Sequence, residues 1–581
     1  MSRYSFLLWP LLLGAALQVH AAKKPKPEPA PSFESNVRVV LLDVVVNDSK
    51  GNPVTGLKQD DFRIFEDGKP QKIASFQEHK GAPVVKDKVP PLPKNTYTNY
   101  PAIKAADSIN VILMDSLNTP ILDQDYAHQQ VIKYLKTIPP GARVAIFTLS
   151  SRLKMIQDFT TDSSKLLAVL NGMGTPQHSS LMQSDDELQS NQDMVGNVTP
   201  IGNEMADMSV DPTGLISEES VGLDVDRVNI TLTAFQQLAN YLAGFPGRKN
   251  LMWVSGSFPI ILFPDANLPT PSRGQHAFMN DLQRTADLCT AAQIAIYPIA
   301  AEGLIVDPYL SANANAVPTT QPGFMTSANP VQFSTALFAR QHSMELLAKD
   351  TGGQAFYNTN GLKDVLQHVT NEGMHYYTLT YTPTNTKADN HYRRTRVELA
   401  DEDYKLYYRR GYYATDQRIG SGFATTRDPL FPLMNPGLPD MADLVYNLSV
   451  NPSNAKPSTR SGQMLTDFKG PVAHYALDFA VSLYQVKVDR LANGDRRAQL
   501  EVRAIAYDDA DKPLSITGER GFVTLTPPAL KDALKFGIHL HEEIDVPANA
   551  HIHLRTGVFD LNSGRAGTLG IRLLTETANS K

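Results

Sequence analysis

The chain has 581 residues, 42% hydrophobic, 20% charged and 8% aromatic, with a formal net charge of -6. That length exceeds what one hydrophobic core supports and implies roughly three domains. The mild acidity, and the lack of a basic stripe with interleaved aromatics, exclude nucleic acid as an expected partner.

The first residues, "MSRYSFLLWPLLLGAALQVHAAKK", place Arg3 before an apolar run over 6–17 and small residues before Ala22. This is the layout of a secretory signal, too short to span a bilayer. Residues 1–21 are therefore expected to be removed, leaving a secreted or periplasmic chain with no transmembrane segment. A charged, Pro-rich linker follows over 22–35. Strand-like runs at 37–46, 62–66 and 72–76, separated by Gly/Asn/Asp/Pro turns, define a small Ig-like β segment over 36–80. So short a β segment needs to pack against another part of the chain. Residues 81–107 read as a second Pro-rich linker.

From 108 to 383 strands alternate with helices. "INVILMD", "RVAIFTL", "NLMWVS" and "QIAIYPI" are nearly continuous apolar runs, as expected of strands covered on both faces in a parallel sheet. Val131, Leu135 and Ile138 mark one amphipathic helix; Val228, Leu232, Phe235, Ala239 and Leu242 mark another. Further helices are expected near 335–350 and 361–371. The fold class is thus an α/β doubly wound parallel sheet with two insertions. The insertion at 174–226 contains eleven Asp/Glu and no Lys or Arg, and that at 303–334 is almost uncharged. The single cysteine, Cys289, lies on an apolar helical face and reads as core.

Residues 384–427 form an expected β extension, 428–470 a linker, and 471–581 a C-terminal β-sandwich. In that last region a long hairpin is expected around Asn493-Gly494, with strands near 519–526, 551–560 and 568–575. His539, His541, His551 and His553 form two His-x-His pairs that could hold a transition metal if their strands were neighbours. "DTG" at Asp350, Thr351 and Gly352 matches half of an aspartic-protease dyad, but its place after a helix reads as a glycine cap. No nucleophile elbow, zinc-protease motif, phosphate loop or Cys pair occurs.

Several stretches taken together resemble a known family. They are "VVVNDSKGNPVTGLKQDDFRIFEDGKPQKIASF", "LAKDTGGQAFYN", "YYTLTYTPTN" with "YYRRGYYA", and "HLRTGVFDLNSGRAGTLGIRL". With the strand ending in Asp115, their order is similar to the acidobacterial-type VWFA-related family of exported proteins. The resemblance implies a von Willebrand factor A-like, Rossmann-like domain flanked by all-β segments. It also implies a Mg²⁺ or Mn²⁺ site built from an Asp-x-Ser-x-Ser loop, a Thr from a second loop and an Asp from a third. Asp115 and Thr119 match the first and last positions of that loop, whereas Leu117 replaces the middle Ser. Ser255 stands near the third-loop Asp, and Thr231 is the candidate for the second loop. Ser116, Asn118 and Ser255 are the expected binding oxygens of a degenerate metal site.

The function expected from these readings is that of an exported, non-enzymatic binding or adhesion-type protein. Its recognition face would combine residues 115–125, the acidic insertion, 257–277 and 303–334, and its partner would be a protein or an envelope or matrix component. The alternative is an exported hydrolase or metal-dependent enzyme using Asp115 and the histidines.

Overall fold

The chain is described by a computed structural model that covers residues 39–575 apart from 82–91, 101–107, 175–178, 180, 182–211, 257–273, 305–329, 388, 390, 401–402, 415–427, 454–463 and 466–467. The expected signal and first linker, most of both insertions, and most of 257–277 lie outside the described residues. The described part begins with β1 (Val40–Asn47), β2 (Phe62–Glu66), β3 (Lys69–Gln71) and β4 (Ile73–Lys80). Asp67 and Gly68, both with positive φ, turn β2 into β3, which is the backbone a tight Asp-Gly hairpin requires. A short β5 (Thr96–Thr98) follows within the stretch expected to be linker.

The next region contains β6 (Ser108–Asp115), α1 (Ile121–Leu135), β7 (Val144–Leu149), β8 (Leu153–Thr160) and α2 (Ser163–Asn171). It continues with α3 (Pro212–Ala243), β9 (Arg248–Ser255), α4 (Gly274–Ala291), β10 (Ile294–Ala300), α5 (Pro330–Thr351) and α6 (Leu362–Met374). The five strands form one sheet in the order β10-β9-β6-β7-β8. The first four run parallel, but β8 is antiparallel to β7, so the sheet is mixed rather than purely parallel. Only Leu153 of β8 is fully buried, so this edge strand carries no continuous apolar signal. Alternation along the interior strands sends Val111 and Leu113 to one face, against α3 and α4, and Ile112 to the other, against α1 and α6. Cys289 is in the first of these cores, where burial pushes its thiol up to about 12. The 32-residue α3 begins at Pro212, so the end of the acidic insertion is helix.

Beyond α6 come β11 (His375–Tyr381), β12 (Tyr392–Leu399), β13 (Lys405–Tyr407) and β14 (Gly411–Tyr413). They pair with the first strands of the chain in two sheets, β13-β1-β11-β4 and β14-β12-β2-β3. Leu42, Val44, Ile64, Leu379 and Val397 fill the core between these sheets. Segments far apart in the chain thus build one β body, and β11 belongs to it.

The C-terminal region holds β15 (Tyr446–Pro452), β16 (Val472–Val481), β17 (Asp489–Arg490), β18 (Arg496–Tyr507), β19 (Pro513–Thr517) and β20 (Arg520–Leu525). The helix α7 (Pro527–Phe536) leads to β21 (Ile538–Pro547), β22 (His551–Asp560) and β23 (Arg565–Leu574). One sheet has the order β21-β16-β15-β5; the other runs β17-β18-β22-β23, with β19 and β20 also paired to β18. Both line a single core. The expected long hairpin is not formed. Around Asn493-Gly494 only the two-residue β17 pairs with β18, while β16 lies in the opposite sheet between β15 and β21. Alternation shows that each strand buries one face, but not which neighbour it pairs with.

Candidate functional site

β6 delivers Asp115 to the carboxyl edge of the mixed sheet, on the same face as Leu113 and therefore toward α3. The carboxylate is buried and ringed by donors. The Asn118 backbone N–H donates to Oδ1 at 3.0 Å. Oδ2 accepts from Asn118 Nδ2 at 2.8 Å, Trp253 Nε1 at 2.9 Å and Ser255 Oγ at 2.9 Å. Burial pushes the Asp115 carboxyl above its usual range, and the donors from Asn118, Trp253 and Ser255 work against that shift.

Asn118 is the hub of a second layer. Its Nδ2 also donates to Thr231 Oγ1 at 2.9 Å, and its Oδ1 accepts from Arg227 Nε at 3.2 Å. Thr231 in turn donates to the Arg227 carbonyl at 2.8 Å, one helical turn back along α3. The Thr119 hydroxyl donates to the Asp115 carbonyl and accepts the Gly256 N–H, the latter at 2.8 Å. Gly256 is required by this closeness: a Cβ there would lie 2.8 Å from Pro120 Cδ and 3.0 Å from the Asn118 carbonyl oxygen.

The four residues Asp115, Thr119, Thr231 and Ser255 therefore do converge, around Asn118. Their chemistry does not fit Mg²⁺ or Mn²⁺, which need several oxygen ligands facing one point. Among the described residues Asp115 is the single carboxylate of this cluster, and its oxygens already accept N–H and O–H groups. Leu117 is 1% exposed and belongs to the hydrophobic core. The Ser116 hydroxyl donates to the Leu149 carbonyl at 3.0 Å. Among the described residues no group of three or more His, Cys, Asp or Glu side chains is arranged to hold a metal ion. Asn118 and Ser255, expected among the binding oxygens of the degenerate metal site, are both fully buried and hold the Asp115 loop instead.

Three members of this cage are not evident as site residues from the sequence: Trp253, Arg227 and Gly256. A signal for two of them exists. Trp253 lies two residues before Ser255 on a strand, and Arg227 four before Thr231 on a helix, so each shares the face of its neighbour. The histidine pairs, in contrast, do not meet, because β21 and β22 belong to different sheets. His541 instead has its Nδ1 2.7 Å from Asp478 Oδ1, which raises its pKa. The "DTG" triplet ends α5, with Gly352 at φ 79° as its left-handed cap.

No family model matches the chain, and no curated protein matches it. Among solved structures, it is similar to a von Willebrand factor type A protein from Catenulispora acidiphila, at 8% identity and a TM-score of 0.23, over 94% of this chain and 76% of that one. An aerotolerance-related membrane protein from Bacteroides fragilis NCTC 9343 matches at 9% identity and a TM-score of 0.22, over 46% of this chain and 98% of its own. BatB from Bacteroides thetaiotaomicron, a conserved hypothetical protein, matches at 8% identity and a TM-score of 0.19, over 46% and 97%. Among the described residues, no helix is long and apolar enough to cross a membrane.

Proposed function

We propose that this chain is an exported, non-enzymatic binding protein whose α/β unit is a doubly wound, von Willebrand factor A-like domain. It recognises a protein, or an envelope or matrix component, through the carboxyl edge of the sheet and without a bridging cation. One observation carries the reading: large apolar side chains stand in solvent at that edge. Leu122 is 83% exposed and Ile121 43% at the start of α1, and Leu304 is 57% exposed just past β10. Asn360 fastens these two segments together, since its carbonyl accepts the Tyr126 hydroxyl at 2.7 Å and its Oδ1 the Leu304 N–H at 3.0 Å. Apolar side chains held outward on a fixed scaffold are the usual anchors of a protein interface. The acidic stretch at 174–226 favours a basic partner.

The test is affinity capture from bacterial envelope extract on immobilised protein, in millimolar Mg²⁺ and in chelator. The expected result is equal recovery of the same partner in both buffers, reduced at least about tenfold by Leu122→Asp combined with Leu304→Asp. Loss of capture in chelator would reject the cation-free mode. Undiminished capture by the folded double variant would reject the edge.

A further inference from the structure

At the opposite, amino edge of the mixed sheet a small cavity of about 20 Å³ separates the sheet from the β body. Asp43 of β1, Arg248 of β9, Gln293, Thr351 of α5 and Arg409 line it. Thr351 comes from "LAKDTGGQAFYN" and Arg409 from "YYRRGYYA", two stretches that the site at Asp115 leaves unexplained.

The polar groups here are unevenly matched. Arg248 is buried, and its Nη2 donates to the Tyr297 hydroxyl at 3.0 Å and the Gly352 carbonyl at 2.9 Å. Arg409 Nη2 donates to the Leu41 carbonyl at 2.7 Å. The Nε–H of each guanidinium is buried with no acceptor. Asp43, the one carboxylate in the lining, already accepts Thr378 Oγ1 at 2.6 Å and Gln293 Nε2 at 3.2 Å. A buried N–H without an acceptor is costly, and more so on a charged group. Asp43 acts on both guanidinium ions, and Asp287, outside the lining, acts on Arg409 as well; within the lining itself the two cations outnumber the one carboxylate.

We propose that this cavity is a binding site for a monovalent, halide-sized anion such as chloride. The volume suits one water or one halide ion. Water would supply an acceptor alone, whereas a halide supplies an acceptor and a negative charge beside the two guanidinium ions. Its position is structural. β1, the residues after β13, β9 and the end of α5 all reach it, so an anion there would clamp the β body onto the sheet.

Crystals grown in sodium bromide, with data collected at the bromine absorption edge, give the direct test. Melting in sodium chloride against sodium gluconate at equal ionic strength gives the second. The expected results are an anomalous peak in the cavity and a melting temperature about 2–4 °C higher in chloride. The halide-specific rise should vanish in Arg409→Met. A water in the cavity with no anomalous signal overturns the proposal. So does a peak at crystal concentrations with identical melting in the two salts. Both readouts on the unaltered chain decide the matter if Arg409→Met does not fold.

Discussion

Lys249 is fully buried in β9, with Asp43 the neighbouring charge that acts on it. Burial lowers its pKa from 10.5 to about 7, and Asp43 opposes the shift. Between pH 7 and 10.5 the unfolded chain therefore holds more protons at this site than the folded one. Stability contributed by Lys249 rises with pH across that window and is level below it, with a slope of at most about 1.4 kcal/mol per pH unit. Lys249→Met should flatten the rise of melting temperature from pH 7 to 9 and melt higher than the parent at pH 7. Equal slopes in the two proteins would show that Lys249 does not titrate there. None of this is visible in "GRKNLMWVS", where Arg248 and Lys249 read as a charged approach to a strand. Burial at that point depends on the β body, whose strands come from both ends of the α/β region. Asp115 was the opposite case, since a carboxylate closing an apolar strand is legible from local pattern alone. Its surroundings were not, because Trp253 donates to it, and Arg227 donates to Asn118 beside it, from elements more than a hundred residues away.

At the level of elements, the apolar runs of β6, β7, β9 and β10 and the helical spacings of α1 and α3 were legible because burial on two faces, or on one stripe, leaves a periodic record. β8 and α7 were not. β8 is mostly half-exposed, and α7 buries only Ala533, relying on Thr526 as its cap and proline in its first turn. Glycine marks a different kind of junction. Gly353 follows α5, and a Cβ there would collide with the Ile296 carbonyl oxygen of β10. Backbone cannot yield as a side-chain tip can, so Gly353→Ala should force α5 away from the sheet. A loss of roughly 3 kcal/mol is expected in denaturant unfolding, with Gly361→Ala, whose nearest neighbours lie at 3.4 Å or more, as a milder control. Equal losses in the two would mean that the packing of α5 on β10 is not what Gly353 protects.

Across the whole molecule, the stretch expected to be a tether, 428–470, joins the C-terminal sheets to the α/β region by direct contact. Leu438 enters the core beneath α3, and the Gly437 carbonyl accepts the Met155 N–H of β8 at 2.9 Å. Arg555 of β22 holds this stretch from the other side. It donates to Asp440 Oδ1 at 2.8 Å, the Pro439 carbonyl at 2.7 Å and Thr568 Oγ1 at 3.0 Å. Proline, asparagine and glycine in the sequence signal irregular backbone, but irregular backbone can be packed as firmly as a strand when an arginine satisfies its carbonyls. Arg555→Met keeps the length of the side chain and removes every one of these donors. It also leaves Asp440, whose carboxyl burial pushes up and Arg555 draws down, without its cation. About 2–3 kcal/mol of loss is expected, confined to the C-terminal sheets and their contact with β8, because Asp440 stays partly in solvent while the buried carbonyl of Pro439 loses its donor. Calorimetry should then show the C-terminal sheets melting in a separate, earlier transition, with protease cleavage appearing between 430 and 445. Arg152→Ala, which breaks the exposed 2.7 Å pair with Asp511 across the same junction, should change the profile by less than about 1 kcal/mol. A single transition, lowered uniformly by Arg555→Met, would instead mean that the two regions unfold as one unit whatever this junction contains.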